Sequence, residues 1–289
     1  MKKTALVFLW ILLASGISAC GKQASAEESG RTVTIGVVGE AQEMWDPVKE
    51  ELAKEGINLE LVTFTDYSTP NAALAGGEID LNAFQHYAYL NKEIESYGYE
   101  IEAIGDTFIS AMNIYSRNLT DVSQVQRGSK VAVPGDASNE GRALKVLEAA
   151  GLIALDKKAG DSPEVTDIVD NPLQLELVEV DAANVCALLP DVAIAVVNCN
   201  YALDNGLNPG KDSIFQDSVD IYEGKNYVNL IAAGKGEADN EVYKRIVEAY
   251  QTEAVKEVYK EAFKGSYEKC SCFAARASLK FCAPQVNAY

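Results

Sequence analysis

The chain has 289 residues, a formal net charge of −18, 48% hydrophobic residues and one histidine. An acidic balance of that size argues against nucleic acid and anionic membrane surfaces as partners, since both would repel it. The apolar fraction supports a substantial core in one large or two medium domains. A single histidine leaves little room for nucleophile–histidine catalysis or histidine-rich metal sites.

Lys2 and Lys3 precede an apolar run from Ala5 to Ala14. That run is shorter than the ~20 residues a bilayer requires, and it has the length of a signal-peptide core. Ile17-Ser18-Ala19 leads into Cys20. Small residues followed by cysteine resemble the bacterial lipobox, whose thiol is lipidated and becomes the new N-terminus. The expectation is a leader over 1–19 and a lipid on Cys20 that anchors the protein at the extracytoplasmic face of the cell membrane, in the outer leaflet or periplasm. Small and polar residues from Gly21 to Gly30 predict a flexible tether over 20–31. No later stretch is long and apolar enough to span a membrane.

Val33 to Val38, ended by Gly39, predicts a buried strand. Met44, Val48 and Leu52 recur at four-residue spacing, the mark of an amphipathic helix, which Gly56 closes. A second strand is expected over 59–64 and a short helix over 70–75, stopped by Gly76-Gly77. Strand and helix in alternation imply a parallel sheet covered on both faces. The pattern repeats after about residue 117, with a strand over 130–133, a turn at Pro134-Gly135-Asp136 and a helix over 139–150. Further strands are expected over 175–180, 192–197 and 228–233, then helices over 241–251 and 253–263. The expected fold class is α/β with two lobes and a ligand cleft between them. Residues 32–116 plus 226–268 form lobe 1, and 117–225 form lobe 2. Open parallel sheets bind ligands beyond the carboxyl ends of their strands, and such a cleft gathers those ends from both sides.

Catalytic signatures are absent: there is no Gly-x-Ser-x-Gly, phosphate loop, dinucleotide fingerprint or His-Glu-x-x-His. The sequence therefore predicts no enzyme, no cofactor and no metal. Cys270, Cys272 and Cys282 cluster in a tail of unassigned role over 269–289, with no histidine nearby and no fourth ligand. Cys186 and Cys199 flank apolar runs and are expected to be small buried hydrophobes.

The lone histidine, His86, stands in the run Asn82-Ala83-Phe84-Gln85-His86-Tyr87-Ala88-Tyr89, downstream of Asp66-Tyr67. Flat amphipathic side chains of this kind suit the enclosure of a small polar molecule with an apolar tail; the plainer alternative is a core histidine. Arg142, near the start of a predicted helix, suits a carboxylate through two parallel hydrogen bonds aided by the helix terminus. A solvated helix face is the alternative there. Asn198 and Asn229 stand at the ends of buried strands, where their amide oxygens can accept from an ammonium or simply occupy turns. Asn139 is a further candidate.

Several segments resemble the methionine-binding lipoproteins of bacterial ABC importers. They are Phe64-Thr65-Asp66-Tyr67-Ser68-Thr69-Pro70, Gly77-Glu78-Ile79-Asp80-Leu81-Asn82-Ala83-Phe84-Gln85-His86, Val131-Ala132-Val133-Pro134, Asn139-Glu140-Gly141-Arg142, Asp170-Asn171-Pro172, Ala195-Val196-Val197-Asn198-Cys199-Asn200-Tyr201-Ala202 and Tyr227-Val228-Asn229. The match is collinear over about 32–267. It implies the two-lobed periplasmic-binding-protein fold (type II-like) and the capture of free methionine, L or D, for a membrane permease and its ATPase. Tyr67, Phe84, His86 and Tyr89 would surround the thioether. Asn139, Arg142, Asn198 and Asn229 would hold the head group. The chain departs from the family at Ala88, where proline is usual, and at Gly135-Asp136-Ala137-Ser138, where Asn-Asp-Pro-Thr is usual. Other readings are a binder of another apolar amino acid or short peptide, and a cell-surface interaction lipoprotein without a transport role.

Overall fold

The computed structural model describes residues 30–262, apart from 161, 219–221, 223 and 225. The expected leader, Cys20, nearly all of the tether and the Cys-rich tail lie outside the described residues. The strands are β1 (Arg31–Val38), β2 (Ile57–Phe64), β3 (Leu81–Asn82), β4 (Ile101–Asp106), β5 (Met112–Tyr115), β6 (Lys130–Pro134), β7 (Ala154–Leu155), β8 (Ile168–Asp170), β9 (Glu176–Val180), β10 (Ile194–Asn198), β11 (Ser213–Phe215) and β12 (Leu230–Gly234). The helices are α1 (Asp46–Ala53), α2 (Pro70–Ala75), α3 (Tyr87–Tyr97), α4 (Ala137–Ala149), α5 (Cys199–Asp204), α6 (Glu241–Tyr250) and α7 (Glu253–Ala262).

Two five-stranded sheets carry the two lobes, in the orders β2-β1-β3-β12-β4 and β11-β5-β10-β6-β9, while β7 and β8 form a small separate pair. Neither main sheet is wholly parallel, contrary to the expectation from alternating strands and helices. β12 runs antiparallel to both β3 and β4, and β5 runs antiparallel to β10. Each reversed strand is the first one entered after the chain crosses from the other sheet. Among the described residues of those crossings, 107–111 and 216–229, no helix turns the chain round, as a parallel connection requires. β5, which the expected boundary at 116 assigns to lobe 1, pairs within the second sheet.

Each sheet has its own core. Val33, Ile35, Val37, Trp45, Leu52, Ile231 and Ile246 pack together in the first lobe, and Met112, Ile114, Val131, Leu144, Leu147 and Ile194 in the second. A further cluster joins Val38 of β1 to Tyr115, Val197, Tyr201 and Ala202, with Phe64, Tyr67 and Phe84 at its edge, so the lobes touch along the cleft. Hydrogen bonds cross there as well, from the Tyr67 hydroxyl to Asn200 Oδ1, from the Tyr201 hydroxyl to the Thr65 carbonyl and from the Glu40 N–H to Asp204 Oδ1. Cys186 and Cys199 are buried thiols outside any disulfide, in keeping with their apolar setting.

Candidate functional site

One cavity of about 750 Å³, its mouth included, lies between the lobes. All eight residues singled out from the sequence line it: Tyr67, Phe84, His86, Tyr89, Asn139, Arg142, Asn198 and Asn229. Phe84 and His86 follow β3, Tyr89 sits in the first turn of α3, Asn139 and Arg142 lie on α4 behind β6, and Asn198 ends β10. Asn229 immediately precedes β12, whose reversed direction brings its amino end to the carboxyl ends of its neighbours.

The His86 segment is fixed from both sides. Beneath it, Asn71, Asn82 and Gln85 form a buried amide triangle: Gln85 Nε2 donates to Asn71 Oδ1 at 2.6 Å and Asn82 Oδ1 at 3.0 Å, and Asn71 Nδ2 returns a bond to Gln85 Oε1 at 2.9 Å. His86 Nδ1 accepts from the Tyr89 N–H at 3.1 Å and so caps α3, which ends at Gly98 with φ +69°. An Nδ1 used as acceptor leaves the proton on Nε2, which lies 3.5 Å from Asn139 Oδ1. Burial, reinforced by the Arg142 charge, lowers the pKa of His86 to about 3. The ring is a neutral donor directed at the Asn139 amide.

The opposite wall grows from α4. This helix starts at Ala137, two residues earlier than expected, because Asp136 is its N-cap and accepts from the Asn139 N–H at 3.0 Å. Arg142 therefore sits in the second turn, and Asp136 already fills the helix terminus expected to aid an anion. Burial pushes Asp136 above the usual carboxylate range, and donors from Asn139 and Ser138 offset part of that. Asn139 Nδ2 donates to both Asp136 oxygens at 3.0 Å, while its Oδ1 accepts from Asn198 Nδ2 at 2.8 Å. Gly141 lets the 163–165 loop close on this helix, since a Cβ there would stand 2.8 Å from the Pro163 carbonyl oxygen. Glu140 then accepts from the Val165 N–H at 3.1 Å.

Arg142 is 1% exposed. Its Nη2 donates to the Ser110 carbonyl at 2.5 Å and to Asp217 Oδ2 at 3.0 Å, and its Nε donates to the Tyr222 hydroxyl at 3.0 Å. The Tyr222 and Tyr227 ring centroids lie 4.8 and 5.1 Å from the guanidinium carbon. Burial alone would disfavour the charge, but Tyr222 and Asp217 hold Arg142 protonated well above its ordinary range. Among the described residues Nη1 has no partner. Ser110 belongs to the first crossing between the sheets, Asp217 and Tyr222 to the second.

Two buried atoms on the cavity wall lack partners among the described residues, the acceptor Asn198 Oδ1 and the donor Asn200 Nδ2. Buried polar atoms are rarely left so, which points to a ligand that completes them. In the same cavity, Tyr67, Phe84 and Tyr89 form a ring cluster with centroids 5.8 to 6.0 Å apart, and Tyr201 backs Tyr67 at 4.9 Å. Asn200, Asp217 and Tyr222 were not singled out from the sequence. Asn200 had a signal, two residues beyond Asn198 at a strand-to-helix junction. Asp217 and Tyr222 lie in a loop without periodicity and had none.

Two lobes around a cavity with a cationic group, unpaired amides and a ring cluster define a substrate-binding protein of the periplasmic-binding class, not an enzyme. The chain belongs to the NlpA lipoprotein family, whose profile matches residues 33–270. A Vibrio cholerae protein described as a probable D-methionine-binding lipoprotein MetQ is 40% identical over 255 residues, which are 88% of this chain and 92% of that one. A nutrient-binding protein from Burkholderia cenocepacia, solved bound to methionine, has a TM-score of 0.76 at 41% identity, covering 81% of this chain and 98% of its own. The substrate-binding protein of a methionine transporter from Streptococcus pneumoniae has a TM-score of 0.75 at 38% identity, with 81% and 94% covered.

Proposed function

We propose that the protein captures methionine outside the cytoplasmic membrane and delivers it to the permease of an ABC importer. The observation that carries this reading is that Arg142 Nη1 and the acceptor Asn198 Oδ1, both without partners among the described residues, share one cavity with three clustered rings. An α-carboxylate fits the first group, an ammonium the second and a thioether the rings. His86 Nε2–H and Asn200 Nδ2 add neutral donors for the carboxylate, and the Asn229 amide stands beside His86. Burying a methionine-sized side chain contributes roughly 1.5–3 kcal/mol, and each sulfur–aromatic contact about 0.3–1.5 kcal/mol. With charge-assisted bonds to the head group, about −8 kcal/mol or better, a micromolar Kd, is reached.

A lipid on Cys20 would hold the body near the membrane while the tether lets it reach the permease. Among the described residues no helix is long and apolar enough to cross a bilayer. A thermal-shift screen of all amino acids in both enantiomers, with native mass spectrometry of freshly purified protein, tests the reading. Methionine should give the largest rise in Tm. A larger rise with another apolar amino acid or a short peptide would replace the ligand and keep the class. No rise with any of them would favour a surface interaction role without transport.

A further inference from the structure

Asp217 lies in the second crossing and is as deeply buried as Arg142, with side-chain exposures of 2% and 1%. Its Oδ2 accepts from Arg142 Nη2 at 3.0 Å, the Tyr222 hydroxyl at 2.8 Å and the Met112 N–H at 3.0 Å, and its own N–H donates to Asn113 Oδ1 at 2.8 Å. Its Oδ1 has no partner among the described residues. Burial pushes Asp217 above the usual carboxylate range, and Arg142, Tyr222 and Met112 offset part of that. Three donors on Oδ2, one of them a guanidinium, favour the carboxylate form. A carboxylate 3.0 Å from the guanidinium cancels its charge. The anchor end of the cavity is thus formally neutral before any ligand arrives.

We propose that Asp217 is a specificity-determining residue: by neutralising Arg142 from behind, it tunes the cavity to ligands of zero net charge and turns away carboxylates that lack an ammonium. This rests on the reading of Arg142 as the carboxylate anchor. A zwitterion brings its negative end to Nη1 and its positive end to Asn198 Oδ1, and the buried site remains neutral. An analogue without the ammonium, such as the α-keto acid of methionine or N-acetylmethionine, leaves two carboxylates on one guanidinium and no cation to balance them. In a dry cavity an unbalanced charge is costly.

The test is calorimetry of methionine and its α-keto acid on the wild type and on Asp217→Asn, which keeps the side chain's size and removes its charge. The wild type should prefer methionine strongly. In the variant the methionine-to-keto-acid affinity ratio should contract at least tenfold, with keto-acid binding strengthened. If Asp217 only braces the loop, both ligands weaken by the same factor, the ratio stays put and the proposal is overturned. Should Asp217→Asn fail to fold, Asp217→Ser reads the same ratio. Keto acid binding within tenfold of methionine on the wild type alone also overturns it. Arg142→Lys, measured in parallel, separates the two levels. Unchanged methionine affinity there removes the anchor reading itself, whereas a tenfold or greater loss with an unmoved Asp217→Asn ratio removes only the specificity role.

Discussion

The two walls of the cavity are built on different terms. The amide wall of His86, Asn139, Arg142 and Asn198 is buried, and its side chains hold one another: Asp136 fixes Asn139, Asn139 fixes Asn198, and Asp217 with Tyr222 fixes Arg142. On the ring wall, Tyr67 and Phe84 are half-buried, and tilted or edge-on contacts near 6 Å hold the cluster. The first wall is rigid because each donor has one geometry that satisfies it, and the second can adjust because ring contacts tolerate a range of angles. Head-group recognition should therefore be steep in mutation, and tail recognition shallow.

Arg142→Ala gives the largest expected effect. Methionine affinity should fall more than about a hundredfold, and stability by about 3–5 kcal/mol, because Asp217 becomes an unpaired buried carboxylate. Calorimetry and chemical denaturation read the two losses separately. Adding Asp217→Ala should restore part of the stability and none of the affinity. If Arg142→Ala binds normally, the amide wall is not the anchor and the contrast between the walls collapses.

Asn198→Ala comes next, at about 1–3 kcal/mol or roughly 5–150-fold in Kd, since it removes the orphaned acceptor and the donor to Asn139. Tyr67→Phe removes only the hydroxyl bond to Asn200 and should weaken binding by about 0.5–1.5 kcal/mol, a factor of roughly 2–10. A Tyr67→Phe loss exceeding that of Asn198→Ala would invert the ranking of the walls.

The smallest effect on affinity concerns pH. The folded pKa of His86, about 3, lies below the value of ~6.5 expected in the unfolded chain. The stability linked to this ring is thus fully present above about pH 6.5 and is lost as pH falls from there toward 3. Through that range the bound-state ring stays neutral, so methionine affinity should be flat from about pH 5.5 to 8. A titration near 6.5 that disappears in His86→Asn would show a solvated ring and a wetter wall.

The parts of this fold legible in the sequence are those where local pattern and tertiary role agree. β1, α2, α4 and β10 carry apolar runs or four-residue spacing bounded by Gly, Pro or Asp, and they stand within about two residues of expectation. α3 escaped notice because His86, an uncommon cap, marks its start, and its first residues read as a ring cluster. The reversed directions of β5 and β12 depend on how the chain crosses between lobes, which no local window records. In the site, residue identity located the eight wall residues but not their wiring. Which atoms of Arg142 remain for a ligand depends on Ser110, Asp217 and Tyr222, and these are brought in by the crossings themselves.

Arg142 is gripped by both strands of the bridge between the lobes, through the Ser110 carbonyl on one and Asp217 with Tyr222 on the other. Any swing of one lobe against the other must flex those same spans. Opening of the lobes would thereby loosen the hold on Arg142 in the same motion.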